Sequence, residues 1–173
     1  SILAYFFIIN DMSESYSNKF LGDKPLSAKT EVVRQNIFDC IESISREATI
    51  TVAFQGGHYT KPEKSLESEG GFFPYYYYEG EYLMPTQTEI EQSISDYIND
   101  NLLACVSEKE MPQTISLTTP QTTTEIKEKE VTFRIDTVLT ITENQSTKII
   151  NIKDKTFSQT SLLKGMIEIA EYL

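Results

Sequence analysis

Apolar residues recur every three or four positions in two long stretches of this 173-residue chain. In the first, Val33, Ile37, Cys40, Ile41, Ile44 and Ala48 share one helical face. Glu31, Arg34, Gln35, Asp39, Glu42 and Arg46 lie largely off that face, so a helix is predicted over roughly 28–47, with Ser27 as its cap. In the second, Ile90, Ile94, Tyr97, Ile98, Leu102, Cys105 and Val106 form the stripe of a helix over roughly 87–107. Its start carries two candidate capping boxes, Thr86 with Glu89 and Thr88 with Glu91.

Between these stretches the pattern shifts to β-branched and aromatic residues. Thr49 to Phe54 reads as a strand, Gly56-Gly57 as a two-residue hairpin turn, and His58-Tyr59-Thr60 as the return strand. Residues 61–71 are charged and end in two glycines, which predicts an exposed loop. Phe72 to Tyr78 reads as one aromatic strand, with Tyr75 and Tyr77 on one face and Tyr76 and Tyr78 on the other. Glu79-Gly80 turns the chain and Tyr82-Leu83-Met84 pairs back.

Beyond Thr114 the chain is threonine-rich. Short strands are predicted at Ile115 to Thr118 and Thr123 to Lys127. Val131 to Ile141 alternates cleanly, with Val131, Phe133, Ile135, Thr137, Leu139 and Ile141 on one face. A turn over Glu143 to Ser146 leads into a partner strand at Lys148 to Lys153. Leu162, Met166, Ile169, Ala170 and Leu173 then predict a third amphipathic helix. The fold class is therefore α+β: two long helices over an aromatic hairpin layer, an antiparallel meander and a C-terminal helix, all within a single globular domain over 28–173.

The N-terminal end is different. Ile2, Leu3, Tyr5, Phe6, Phe7, Ile8 and Ile9 form an apolar run that stops at Asn10-Asp11. Nine residues are fewer than the ~20 that span a bilayer. Residues 1–10 read as the outer end of a membrane anchor or filament-core helix, with a buried element of the fold as the alternative. The polar stretch 11–27 reads as a linker.

A net charge of −11 argues against nucleic-acid binding and against adhesion to an anionic membrane surface. Cys40 and Cys105, one on each helical stripe, bridge if the chain is exported and the helices pack side by side. In a cytosolic chain they are inert small hydrophobes; the bridge is the favoured reading. With a single histidine and no CxxC pair, neither a zinc site nor a thioredoxin-like motif is credible, and no cofactor is expected. Asn144-Gln145-Ser146 is a glycosylation sequon on the predicted β-turn, and Thr118 to Thr124 is a weaker candidate for O-linked sugar. His58 lacks a nearby nucleophile or orienting acid in sequence and reads as structural. Tyr75, Tyr76, Tyr77 and Tyr78 read as packing between sheet and helices, as a protein contact surface, or as a sugar-stacking platform.

Taken together, the QGG-aromatic segment Gln55 to Tyr59, the PYYYYEG segment Pro74 to Gly80, the proline-led helix Pro85 to Cys105, the VTFRIDTVLTI strand and the LLKGMIEIA helix resemble a group of uncharacterised membrane-anchored surface proteins of small-genome (DPANN-type) archaea. The resemblance implies export, an N-terminal membrane helix and paired cysteines; it implies no activity. The expectation is a non-enzymatic extracellular surface or appendage protein, held by self-association or by a membrane through residues 1–9. The alternative is an anchored or secreted binding module that takes a glycan or a partner protein on its tyrosine surface, His58 included. On that alternative, replacing Tyr76 or Tyr78 by alanine weakens binding.

Overall fold

A computed structural model describes residues 28–108, 114–143 and 146–171. The apolar run 1–9, the linker and Asn144 lie outside these residues. Three helices and eight strands are present among them: α1 (Ala28–Phe54), β1 (Ser65–Ser68), β2 (Gly71–Pro74), β3 (Tyr77–Tyr78), β4 (Glu81–Tyr82), α2 (Gln87–Glu108), β5 (Thr114–Leu117), β6 (Gln121–Ile126), β7 (Glu130–Glu143), β8 (Ser146–Thr160) and α3 (Leu163–Glu171). All strand pairs are antiparallel. By its contacts the chain divides between Val32 and Val33, and the packing described below belongs to the unit from Val33 onward.

The largest departure from expectation is at Thr49 to Phe54, which is helix and not strand. Val33, Ile37, Cys40, Ile41, Ile44, Ala48 and Val52 are all buried, so the three-and-four spacing runs on unbroken past Ala48. β-branched residues weaken a helix by only a few tenths of a kcal/mol each. Burying Ala48 and Val52 outweighs that, and the Thr49 hydroxyl donates back to the Ser45 carbonyl at 2.9 Å.

Gly56 and Gly57 therefore end a helix; they do not turn a hairpin, and no return strand forms at His58 to Thr60. Their φ angles are +64° and +90°. The Gly57 N–H donates to the Val52 carbonyl at 2.8 Å and the Gly56 N–H to the Ala53 carbonyl at 3.2 Å. That pair of bonds is a Schellman cap, which needs a left-handed residue just past the helix.

At the start of α2 the Thr86–Glu89 box is the one that forms. Glu89 Oε2 accepts from the Thr86 N–H at 2.7 Å, and the Glu89 N–H donates to Thr86 Oγ1 at 3.3 Å. Glu91 is used elsewhere: its Oε1 accepts the Ile126 N–H at 2.9 Å, while Gln87 Nε2 donates to the Ile126 carbonyl at 3.1 Å. Two side chains of α2 thus complete the backbone bonding at the end of β6. Ser95 and Thr124, both buried, bond hydroxyl to hydroxyl at 2.8 Å along the same contact.

β7 is the central strand of the large sheet. β8 lies along one edge of it, and β5 and β6 share the other. β8 is far longer than the predicted Lys148 to Lys153, because Glu130–Glu143 offers it a continuous ladder. Both neighbours carry an extra residue beside Asp136 and Thr137: β8 between Ile152 and Lys155, and the β5–β6 run between Leu117 and Gln121. Such bulges bend and twist a strand pair. The inner face of β7 (Val131, Phe133, Ile135, Thr137, Leu139, Ile141) is buried and joins the stripes of α1 and α2 in one core. Thr137 Oγ1 is satisfied by the Thr118 carbonyl at 2.8 Å.

Candidate functional site

Cys40 and Cys105 form a disulfide between α1 and α2, with Cα atoms 5.8 Å apart and a sequence separation of 65. Cys40 is fully buried and Cys105 half-buried. Toward the other end of the helix pair, Tyr97 packs edge-on to Tyr59 at 5.2 Å and donates from its hydroxyl to Glu47 Oε1 at 2.7 Å. Burial first, and the Glu47 carboxylate second, push the Tyr97 phenol up to about 12.

The segment that follows the glycine cap lies against the aromatic strands. A Cβ added to Gly56 would stand 2.6 Å from Pro74 Cγ and 3.0 Å from the Tyr76 hydroxyl. A Cβ on Gly57 would meet Pro85 Cγ at 2.7 Å and Ile90 Cγ1 at 2.9 Å. The glycine pair is thus required twice, for backbone sign and for close approach.

The expected single strand Phe72 to Tyr78 is divided. Gly71–Pro74 pairs with Ser65–Ser68, a strand within the charged stretch predicted to be loop. Tyr77–Tyr78 pairs with Glu81–Tyr82 around Glu79 and Gly80, both at positive φ. Pro74 has no N–H with which to continue the ladder. Tyr75 and Tyr77 are exposed, whereas Tyr76 and Tyr78 are half-buried. The Tyr75 and Tyr78 rings lie 5.5 Å apart, and Lys64 Nζ sits 5.2 Å over Tyr78.

Two exposed apolar groups result. Phe54 (69% exposed), Leu66 (59%) and Phe73 (49%) form one, since Leu66 is the cross-strand partner of Phe73 and the Phe54 and Phe73 rings are 6.5 Å apart. Tyr77 and Tyr82, direct cross-strand partners, form the other. Phe54, Leu66, Phe73 and Tyr82 lie outside the interaction surface expected from sequence, which is Tyr75 to Tyr78 with His58. Phe54 falls off the buried stripe only once Thr49 to Phe54 is recognised as helix. Leu66 was legible as the one aliphatic residue in a charged run.

His58 is half-buried, and its Nε2 makes no hydrogen bond among the described residues; nor does Gln55 Oε1. Burial pushes the ring below its ordinary 6.5, and the Glu89 carboxylate pulls it part of the way back. No nucleophile is available to it from cysteine, because both cysteines are in the disulfide. No cluster of three or more histidine, cysteine or acidic residues is arranged around a metal-sized gap among the described residues. No helix among them is long and apolar enough to cross a membrane.

The lowered His58 value has a testable consequence. The unfolded chain takes up this proton near pH 6.5 and the folded chain only at lower pH, so stability is lost as pH falls through 6.5 toward the folded value. The chain has one histidine, so its ring resonances need no assignment. A proton NMR titration of the native protein gives a midpoint below 6.5, and the same titration in urea returns to it. A native midpoint at or above the urea value contradicts the burial account.

Comparison with protein-family models, curated proteins and solved structures finds no match to this chain.

Proposed function

We propose that this chain is a non-enzymatic extracellular surface or appendage protein. The single observation that carries the reading is the Cys40–Cys105 bridge within the core, since such bridges persist in oxidising surroundings. Residues 1–9 are its attachment, by membrane insertion or by packing in a filament core. The aromatic hairpins form a layer over the far end of the disulfide-linked helix pair.

Deleting residues 1–9 tests the attachment. The expected result is loss of the chain from the membrane or assembled fraction, with the remainder still folded and its cysteines still resistant to alkylation in denaturant without reductant. A truncated chain that stays in that fraction overturns the attachment. Cysteines that alkylate freely in protein taken from its native host overturn the extracellular reading.

A second reading, a binding module for a glycan or a partner protein, is favoured by the exposed Tyr77–Tyr82 pair beside the Phe54, Leu66 and Phe73 group. Aromatic side chains exposed in this way are typical of contact surfaces. The informative substitutions are Tyr77→Ala and Tyr82→Ala, not the half-buried Tyr76 and Tyr78.

A further inference from the structure

The two ends of the disulfide stand in different surroundings. Cys40 is 1% exposed, in the middle of the buried stripe of α1 between Ile37 and Ile41, neither of which reaches solvent. Cys105 lies at the margin of the stripe of α2. Leu102 and Val106 beside it are buried, Leu103 and Ala104 are exposed, and Cys105 itself is half-buried. One half of the bridge is closed in by the core, and the other borders solvent.

This asymmetry bears on how the bond is made. Disulfides form and break through a mixed-disulfide intermediate, in which one cysteine carries a foreign group. On Cys40 that group would have to fit inside a core packed about as tightly as an organic crystal. Cys40, Ile37, Ile41, Leu102 and Val106 belong to the one cluster that joins both helices to the sheet, so room for it requires the helices to part. On Cys105 the same group has solvent to occupy and leaves the packing in place.

The helices also have a reason to pack before any bond joins them, because both stripes bury their apolar side chains against the inner face of the sheet. The Cα atoms of Cys40 and Cys105 stand 5.8 Å apart, within the span that a disulfide takes.

We infer that Cys105 is the exchange site of this protein: a disulfide donor reacts there first, and Cys40 completes the bond from within the core. In the first step the Cys105 thiolate attacks one sulfur of the donor. The donor's S–S bond breaks, one half leaves as a thiolate, and the other half stays on Cys105. In the second step Cys40 gives up its proton and its Sγ attacks Cys105 Sγ, expelling the second half as a thiolate. The donor gains two electrons and becomes two thiols. The two cysteines lose two electrons, and their protons go to the departing thiolates. Reduction runs the same path backwards and enters at Cys105. The inference concerns the order of bond exchange and does not rest on the extracellular reading.

The test uses two variants of the full chain, Cys40→Ala and Cys105→Ala, in native buffer, with glutathione disulfide as the probe and intact mass as the readout. Cys40→Ala takes up one glutathionyl group. Cys105→Ala takes it up roughly a hundredfold more slowly, since Cys40 reacts only when the helix pair opens. In urea the two rates converge. Similar rates in native buffer overturn the inference, whether Cys40 is reached within the fold or the helices part readily without the bridge. A second measurement needs no variant. Oxidised wild-type protein is mixed with reduced glutathione, free thiols are blocked by alkylation, and the intermediate is mapped by proteolysis. The expected species carries glutathione on Cys105 and the alkyl group on Cys40; glutathione on Cys40 overturns the inference.

Discussion

Replacing both Cys40 and Cys105 by alanine lowers the unfolding free energy by about 4 kcal/mol in the chain-entropy account. The bridge joins positions 65 apart, so reducing it frees a long loop in the unfolded chain while the folded chain changes little. Domains of ordinary size have only 5–15 kcal/mol in total, so a quarter or more of the stability depends on one covalent bond. Cys40 lies among Val33, Ile37, Ile41 and the stripe of α2, and its loss also leaves a small gap there. The measurement is urea unfolding of the wild-type chain, with and without reductant, beside the double variant. The reduced wild type and the variant should both fall well below the oxidised protein, the variant somewhat lower because of the gap at Cys40. A loss under 1 kcal/mol would mean that the helices hold together without the bridge. Where thiols are kept reduced, this fold loses that contribution.

Gly57→Ala produces the second large effect. The residue sits at φ +90°, where an L side chain is strained by about 1–2 kcal/mol. The added carbon would also stand 2.7 Å from Pro85 and 2.9 Å from Ile90, and overpacking of that kind adds about 1–3 kcal/mol. A total of roughly 2–5 kcal/mol is expected. Gly80→Ala is the internal control. Gly80 has a similar φ of +95°, yet a Cβ there meets nothing within 4 Å. Its cost should stop at the backbone strain alone, about 1–2 kcal/mol. The difference between the two variants in urea unfolding isolates the close approach of Pro85 and Ile90 to the end of α1. If Gly57→Ala costs no more than Gly80→Ala, that approach has been overvalued.

Some of this molecule was readable from local pattern, and the reason is periodicity. The stripe from Val33 to Ala48 and the stripe from Ile90 to Val106 each bury one face over several turns, and no other secondary structure places those residues together. The alternation from Val131 to Ile141 is equally unambiguous, because only a strand sends every second residue to the same side. The α+β class follows from these three segments.

Short-range signals failed where two structures fit the same few residues. Thr49 to Val52 favours a strand by propensity, and Gly56-Gly57 suits a hairpin turn as well as a Schellman cap. The choice was made by Val52, whose burial lies one helical turn beyond Ala48. Two capping boxes were equally good on paper. Ile126 decided between them, since its backbone takes the Glu91 carboxylate from a strand 35 residues away. Ser65 to Ser68 becomes a strand only because Phe72 and Phe73 are there to pair with it. Alternation alone separates Tyr75 and Tyr77 from Tyr76 and Tyr78; that the first pair is the exposed one was decided by what lies beneath the strand, where the Tyr76 hydroxyl meets Gly56. Local spacing fixes which residues share a face. What that face meets, and therefore which bonds close and which side chains are left outside, is set by contacts between segments far apart in the chain.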